Sequence, residues 1–352
     1  MEKIRIGVLG AGWWATFAHL PALKACPEVE LVAVQNREAA QAERIARDFG
    51  ARHACTTTEE LLALPGIDAV IVASTPNVHH QQAMAALASG RHVLIEKPMT
   101  FTAAEARELV ELAARQGLQL LISCPWHYTR HGIEARRLIQ SDALGTIKLI
   151  SVLMTNPVDK LLRGLNTSPT HGTANVYLEP QPGSYSDPAI AGGGQIYCQV
   201  SHPAAYLTFL TGRRPAEVFA RFDNDGSVND LYDTLNVKLE GGALASIAST
   251  AATPVNERNY EVRIFGRRAI LQLELWRGTM TQIDFTGART EFPPLAEHEI
   301  YPAQAPALNF VSLLLGRSAN GSPGELGLAS MEIIEAARQS ATTGENIRVR
   351  KV

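Results

Sequence analysis

The sequence predicts an α/β chain of two domains, residues 1–123 with a doubly wound parallel sheet and residues 124–352 with a large, mostly antiparallel open sheet. Three observations carry this. Short β-branched runs alternate with helical stretches as far as residue 123. The rhythm then changes to long runs with two-residue alternation. Finally, 352 residues suffice for two independent cores at roughly 150 residues per domain.

In the first domain, strands are expected at 4–9, 31–34, 69–73, 92–95 and 118–122, apolar on consecutive positions because helices cover both faces. Thr102-Ala-Ala-Glu105 has the spacing of a capping box and is followed by Ala106, Leu109, Val110 and Ala113 on one helical face. Asn77 is placed to cap the preceding helix, and Gly90 to supply its left-handed end. In the second domain a helix is expected at 133–141, with strands at 147–154, 218–222, 232–239, 243–250, 260–265 and 269–275. Gly241-Gly242 is the expected hairpin turn. Residues 156–194 are rich in Pro, Gly, Ser, Thr and Asn and lack periodicity, the mark of a functional or mobile loop. Helices return at 307–315 and 326–340, before a terminal strand at 346–350.

Composition narrows the function. With 32 Lys+Arg against 35 Asp+Glu and no basic block, the chain offers no footprint for nucleic acid. Cys26, Cys55, Cys124 and Cys198 show no C-x-x-C spacing, so neither a disulfide framework nor a thiolate zinc site is expected, and a reducing compartment fits best. Lys3–Leu9 is too short for a signal peptide and no apolar stretch reaches bilayer length, so a soluble cytoplasmic protein without a membrane partner is expected.

The first strand runs into Gly10-Ala11-Gly12-Trp13-Trp14-Ala15, a G-x-G-x-x-A fingerprint opening a helix. The first glycine permits a tight turn, the second lets a pyrophosphate approach the backbone, and the small third residue allows close helix–strand contact. A Rossmann-type dinucleotide-binding domain follows from that context. At the end of the second strand, where an acid commonly holds the NAD ribose, stand Gln35, Asn36 and Arg37. The missing carboxylate and the added cation favour NADP over NAD, although Asn36 can still bond a hydroxyl and Arg37 can be a solvated helix-start residue.

Thr75-Pro76-Asn77-Val78-His79-His80 and Glu96-Lys97-Pro98 both follow strands, at the carboxyl ends where open parallel sheets bind ligands. His80 reads equally as a packing or capping residue; Lys97, fixed between an acid and a proline, reads as functional. His127 and His131 have i,i+4 spacing, but no third ligand is identifiable and Pro125 argues for a loop, so no metal is expected.

These motifs together resemble the Gfo/Idh/MocA oxidoreductases, named for glucose–fructose oxidoreductase and inositol dehydrogenase. The resemblance also rests on Ala86-Leu87-x-x-Gly90-x-His92-Val93-Leu94-x-Glu96-Lys97-Pro98, on Gly192-Gly193-Gly194 with His202 downstream, and on Ala336-x-x-x-Ser340-x-x-x-Gly344. It implies a Rossmann domain followed by an α/β domain with an open sheet, assembly into a homo-oligomer, and hydride transfer between a sugar or polyol carbinol and NAD or NADP. Lys97 resembles the family lysine that contacts substrate oxygen and nicotinamide, and His202 the histidine that takes or returns the hydroxyl proton. The chemistry asks for such a pair, because hydride leaves a carbinol carbon only if the O–H proton leaves too.

The chain departs from the family at two aspartate positions around His202, which hold Cys198 and Ala205. Cys198 is read as a neutral pocket residue, and Tyr197 as an unassigned group able to share the proton chemistry. The family's Arg-Phe pair is replaced by Trp126, His127 and Tyr128, read as a wall of a carbohydrate pocket. Asn175, Tyr177, Tyr185 and Asp187 belong either to that pocket or to a surface loop. Two other functions stay open: redox-neutral glycoside cleavage or epimerisation through transient oxidation by bound cofactor, and a non-catalytic dinucleotide- or sugar-binding regulator.

Overall fold

The computed structural model describes residues 3–165, 176–181 and 183–349. They divide into two compact units. The first holds the described residues of Met1–Pro125, Thr170–Ser184 and Ala303–Leu328, and the second those of Trp126–Pro169, Tyr185–Pro302 and Ala329–Val352. The sequence reading had a continuous second domain from 124; instead, 303–328 returns to the first unit.

In the first unit β1 (Ile4–Leu9), β2 (Val29–Gln35), β3 (His53–Cys55), β4 (Ala69–Val72), β5 (His92–Ile95) and β6 (Leu120–Ile122) form a parallel sheet of six strands among the described residues. Their order is β3-β2-β1-β4-β5-β6. The order reverses between β1 and β4, which is where a doubly wound sheet opens its ligand crevice. The helices are α1 (Leu20–Ala25), α2 (Ala39–Phe49), α3 (Thr58–Ala63), α4 (His79–Ala88) and α5 (Ala103–Gln116). Thr102 and Glu105 close the expected capping box on α5, and Gly117 ends that helix at φ +64°. Asn77 does not cap α4: the chain enters through a 3-10 turn, Pro76–Val78, and Val78 holds the cap position without a side-chain bond. Gly90 does take the left-handed conformation, at φ +79°.

In the second unit α6 (Arg130–Gln140) leads into β7 (Ile147–Thr155), followed by the short helices α7 (Asp159–Leu162), α8 (Pro188–Ala191) and α9 (Gln195–Cys198) and by α10 (Ser201–Thr211). Then come β8 (Pro215–Asp223), β9 (Tyr232–Leu239), β10 (Leu244–Thr250), β11 (Asn259–Gly266), β12 (Ala269–Glu274), β13 (Thr279–Asp284) and β14 (Arg289–Glu291). After α11 (Glu297–Ile300), α12 (Ala305–Leu314) and α13 (Gly324–Thr343), β15 (Ile347–Arg348) completes the sheet. Its order is β14-β13-β12-β11-β7-β10-β9-β8-β15, antiparallel except where β10 runs parallel to β7. Gly241 and Gly242 turn β9 into β10 at φ +80° and +85°, conformations that exclude most side chains.

Helix α12 explains the revised boundary. Its Ala307, Phe310 and Val311 are buried with Ile6, Val8, Ile71 and Leu94 in the core of the first sheet. Helical periodicity shows that such a helix buries a face, not which sheet receives it. No helix among the described residues is long and apolar enough to cross a membrane.

Candidate active site

The glycine-rich turn meets the steric demands of a dinucleotide site. Gly10 has φ +76°, and a Cβ there would stand 2.3 Å from Ser74 Cα, so the fold itself requires glycine. Gly12 is different: a Cβ would meet nothing closer than the Gly10 carbonyl at 3.9 Å, so no protein neighbour requires its absence. A bare backbone without a packing reason is what close approach of a pyrophosphate demands. Ala15 is fully buried, as the third position requires. Gln35 holds the turn, accepting from Gly10 N at 3.0 Å while its own amide donates to the Thr56 carbonyl at 2.8 Å.

The helix after the turn is tied to the Glu96-Lys97 segment. It runs through a π-helical stretch, Ala15–His19, into α1. Trp14 Nε1 donates to Glu96 Oε1 at 2.7 Å, and His19 Nε2 lies 2.8 Å from the same oxygen, with the His19 side chain fully buried. Burial alone would raise the Glu96 carboxyl, but the hydrogen bond and charge of His19, with the charge of Lys97, hold it below the ordinary carboxylate range. Glu96 Oε2 also accepts from the Lys97 amide at 3.2 Å, fixing the backbone that carries the lysine. Trp13 stands edge-on to Trp14 at 5.3 Å and engages Phe17, so both tryptophans form an aromatic wall beside the turn.

His79 joins the other two loops. Its ring nitrogens lie 2.9 Å from the Pro98 carbonyl and 3.0 Å from that of Ser74. Burial lowers its basicity, so the ring is neutral and donates to one of the two at a time. His80, the candidate from the sequence, turns away and pairs with Glu108 at 2.9 Å, because one helical step separates a buried from a half-exposed position. Thr75 Oγ1 donates to Asn77 Oδ1 at 2.7 Å, closing the loop at the end of β4, and Pro76 begins the 3-10 turn. At the end of β2, Asn36 bonds the Ala11 carbonyl, Gln41 and the Glu38 amide, while Arg37 is exposed with no ion-pair partner among the described residues.

In the second unit His202 opens α10 and is buried, its ring edge-on to Trp126 at 5.0 Å. Its backbone is set by a hydrogen bond that its N–H donates to the Gln199 carbonyl at 3.0 Å. Trp126 in turn packs edge-on against Tyr260, Trp276 and Tyr301 at 4.7 to 5.1 Å, an aromatic box with His202 on its wall. Cys198 lies in a small apolar cluster with Val158, Leu162, Leu231 and Ala251.

Other candidates are used elsewhere. His127 is buried and stacked flat on Phe209 at 4.3 Å, and burial with the charge of Arg136 pushes its basicity down to about 3, so it is a core ring. Its i,i+4 neighbour His131 bonds the Pro293 carbonyl at 3.0 Å. The Tyr197 hydroxyl accepts from Arg338 at 2.9 Å beneath a stacked guanidinium. Tyr128 lines a cavity of about 650 Å³ with Arg130, Glu134, Phe292 and His298. Tyr177 belongs to the first unit and donates to Asp48 at 2.6 Å; Tyr185 packs on the Cys198 cluster, and Asp187 caps α8. Asn175 lies outside the described residues.

Two family models match this chain: an oxidoreductase family with an NAD-binding Rossmann fold over residues 4–123, and the GFO/IDH/MocA C-terminal domain over residues 133–272. The chain belongs to the Gfo/Idh/MocA oxidoreductase family. Similar to it is the 1,5-anhydro-D-fructose reductase of Ensifer adhaerens, 28% identical over 350 residues, 97% of each chain. An uncharacterised oxidoreductase of Synechocystis is 30% identical over 218 residues, 62% of this chain but only 53% of that protein's own length. Among solved structures, GenD2 from gentamicin A biosynthesis, in complex with NAD, superposes with a TM-score of 0.80 at 23% identity, covering 100% of this chain and 97% of that one.

Within this member of the family, several residues in the surroundings of the candidate site escape sequence reading. Asp230 accepts from Gly194 N at 3.1 Å and Ile196 N at 2.6 Å, capping the start of α9. A Cβ at Gly194 would lie 2.2 Å from the Asp230 carbonyl, so that glycine permits the close approach. Asp233 is buried behind it, and burial with the Asp230 charge pushes its carboxyl well above the usual range. Trp276 and Tyr301 carry no motif; only their aromatic character in a loop after β12 and after α11 marks them.

Proposed function

We propose that the protein is an NADP- or NAD-dependent oxidoreductase that moves a hydride between a sugar or polyol carbinol and nicotinamide. The observation that carries this is the 2.7 Å bond from Trp14 to Glu96, which anchors the lysine segment to the helix of the dinucleotide turn. Gly10 and Gly12 would hold the pyrophosphate at the backbone amides. A bound nicotinamide supplies the hydride acceptor or donor.

Lys97 stabilises the negative charge that develops on the substrate oxygen, and His202 takes or returns the hydroxyl proton. Trp126 and Tyr260 are buried and serve as backing, while the partly exposed Trp276 and Tyr301 offer apolar faces to sugar C–H groups. Exposed Arg37 beside the neutral Asn36 supports a preference for a 2′-phosphate, hence NADP. Leu149, Leu153 and Leu244 are exposed side by side on the open sheet, which supports a homo-oligomer in which a second copy covers that face. The reductase name of the Ensifer relative supports a carbohydrate substrate.

The test is the near-ultraviolet absorbance of reduced nicotinamide when protein is offered NADP or NAD with aldoses, inositols and simple glycosides. A rising signal with one partner is expected. Silence with every partner, while dinucleotide is bound, would overturn the hydride-transfer reading.

A further inference from the structure

Arg258 stands just before β11, its guanidinium 4.0 Å from the centre of the Trp276 ring. This is the shortest guanidinium–ring contact among the described residues; the others lie at 4.8 to 5.3 Å. The head group is partly removed from water, yet no carboxylate among the described residues pairs with it. Its neighbour Glu257 is exposed, and Glu274, opposite Glu261 at the same end of the β11–β12 pair, makes no ion pair with Arg258 and directs Oε1 to the backbone amides of Tyr260 and Trp276 at 3.2 and 3.1 Å. Burial accordingly lowers the Arg258 basicity with no opposing carboxylate. A half-desolvated cation without an anion is an expensive arrangement unless a ligand completes it.

The position is contiguous with the candidate site. Trp276 meets Trp126 at 5.1 Å, and Trp126 meets His202 at 5.0 Å, all within the second unit. Tyr301 closes the group, 4.7 Å from Trp126 and 5.3 Å from Trp276. Stacking on indole orients the planar fork and lowers the entropy lost when it bonds an anion in bidentate fashion.

We propose that Arg258, clamped on Trp276, is a specificity-determining residue, and that the substrate is a sugar bearing an anionic group, a carboxylate or a phosphate. This rests on the reading of the His202 wall as the sugar site. The partly exposed Trp276 and Tyr301 take the C–H faces of the sugar while Arg258 takes its charge.

The experiment is calorimetric titration of the full-length protein, loaded with NADP, using D-glucuronate, D-glucose 6-phosphate and D-glucose. One of the two anions is expected to bind at least about tenfold more tightly than glucose, and which one does so distinguishes carboxylate from phosphate. Arg258→Met should abolish that preference without moving NADP affinity or the melting temperature, and Arg258→Lys should restore part of it. Equal affinity for all three sugars, absence of binding by either anion, or an anion preference that survives Arg258→Met would overturn the assignment. An anion that binds through Arg258 without any reduction of nicotinamide upholds this assignment and removes the hydride-transfer reading instead.

Discussion

His19 Nε2 lies 2.8 Å from Glu96 Oε1 in the interior of the first unit, and the two residues are 77 positions apart in sequence. The contact joins the helix that leaves the glycine-rich turn to the strand end that presents Lys97. Removing His19 strips one of the bonds from a buried carboxylate, and removing Glu96 leaves the buried His19 ring without this partner; breaking a buried pair typically costs about 3 kcal/mol or more. His19→Ala and Glu96→Ala are each expected to destabilise by about that amount. The double variant should fall short of the sum by at least about 1 kcal/mol. Urea denaturation of the four proteins measures the coupling; strict additivity would show that the contact is not a working pair.

Gly10 and Gly12 are expected to separate folding from ligand binding. At Gly10 a Cβ collides with Ser74 backbone and the φ is +76°, so Gly10→Ala should destabilise by at least about 2 kcal/mol. At Gly12 the added methyl meets no protein atom within 3.9 Å. Gly12→Ala should therefore leave the melting temperature in place and weaken dinucleotide binding by about tenfold or more. Thermal unfolding and fluorescence titration with reduced nicotinamide measure the two effects.

His127 gives the stability a pH dependence of definite sign. Its folded-state basicity is held at about 3 against 6.5 for a free imidazole, so between these values the unfolded chain binds more protons. Stability then falls as pH falls from about 6.5. His127→Phe, which keeps a ring on Phe209, should reduce the loss measured between about pH 7.5 and about pH 5.5 by about 1 kcal/mol. An unchanged loss would mean that His127 takes up its proton inside the fold.

Arg37 is expected to set the choice between cofactors. Arg37→Ala should raise the NADP dissociation constant by about tenfold and leave that of NAD within about twofold, since only the 2′-phosphate calls on the guanidinium. Titration of both dinucleotides decides it, and equal losses for the two would assign Arg37 another role.

The strongly periodic parts of the fold were legible because burial writes itself into local pattern. β1, β5 and β9 have the bounds expected from sequence, each a run whose period matches its exposure. β3 and β14 were not legible: β3 buries only Cys55 and β14 buries nothing, so neither leaves a hydrophobic trace. The glycine turn and Lys97 stood out because backbone chemistry at strand ends is local. The partners of His80 and Tyr197 were not legible for the opposite reason. Whether a polar ring faces ligand or core depends on distant partners such as Glu108 and Arg338, which no local spacing reveals. The Trp126 box has the same character, assembled from residues up to 175 positions apart.

In the proposed function Lys97 steadies the charge on the substrate oxygen and His202 moves the hydroxyl proton. Steady-state kinetics of Lys97→Ala and His202→Ala, with the substrate that the absorbance assay yields, tests it most directly. Each variant should lose about 100-fold or more in kcat/KM with dinucleotide affinity retained. Rates within about threefold of wild type for both variants would contradict the account.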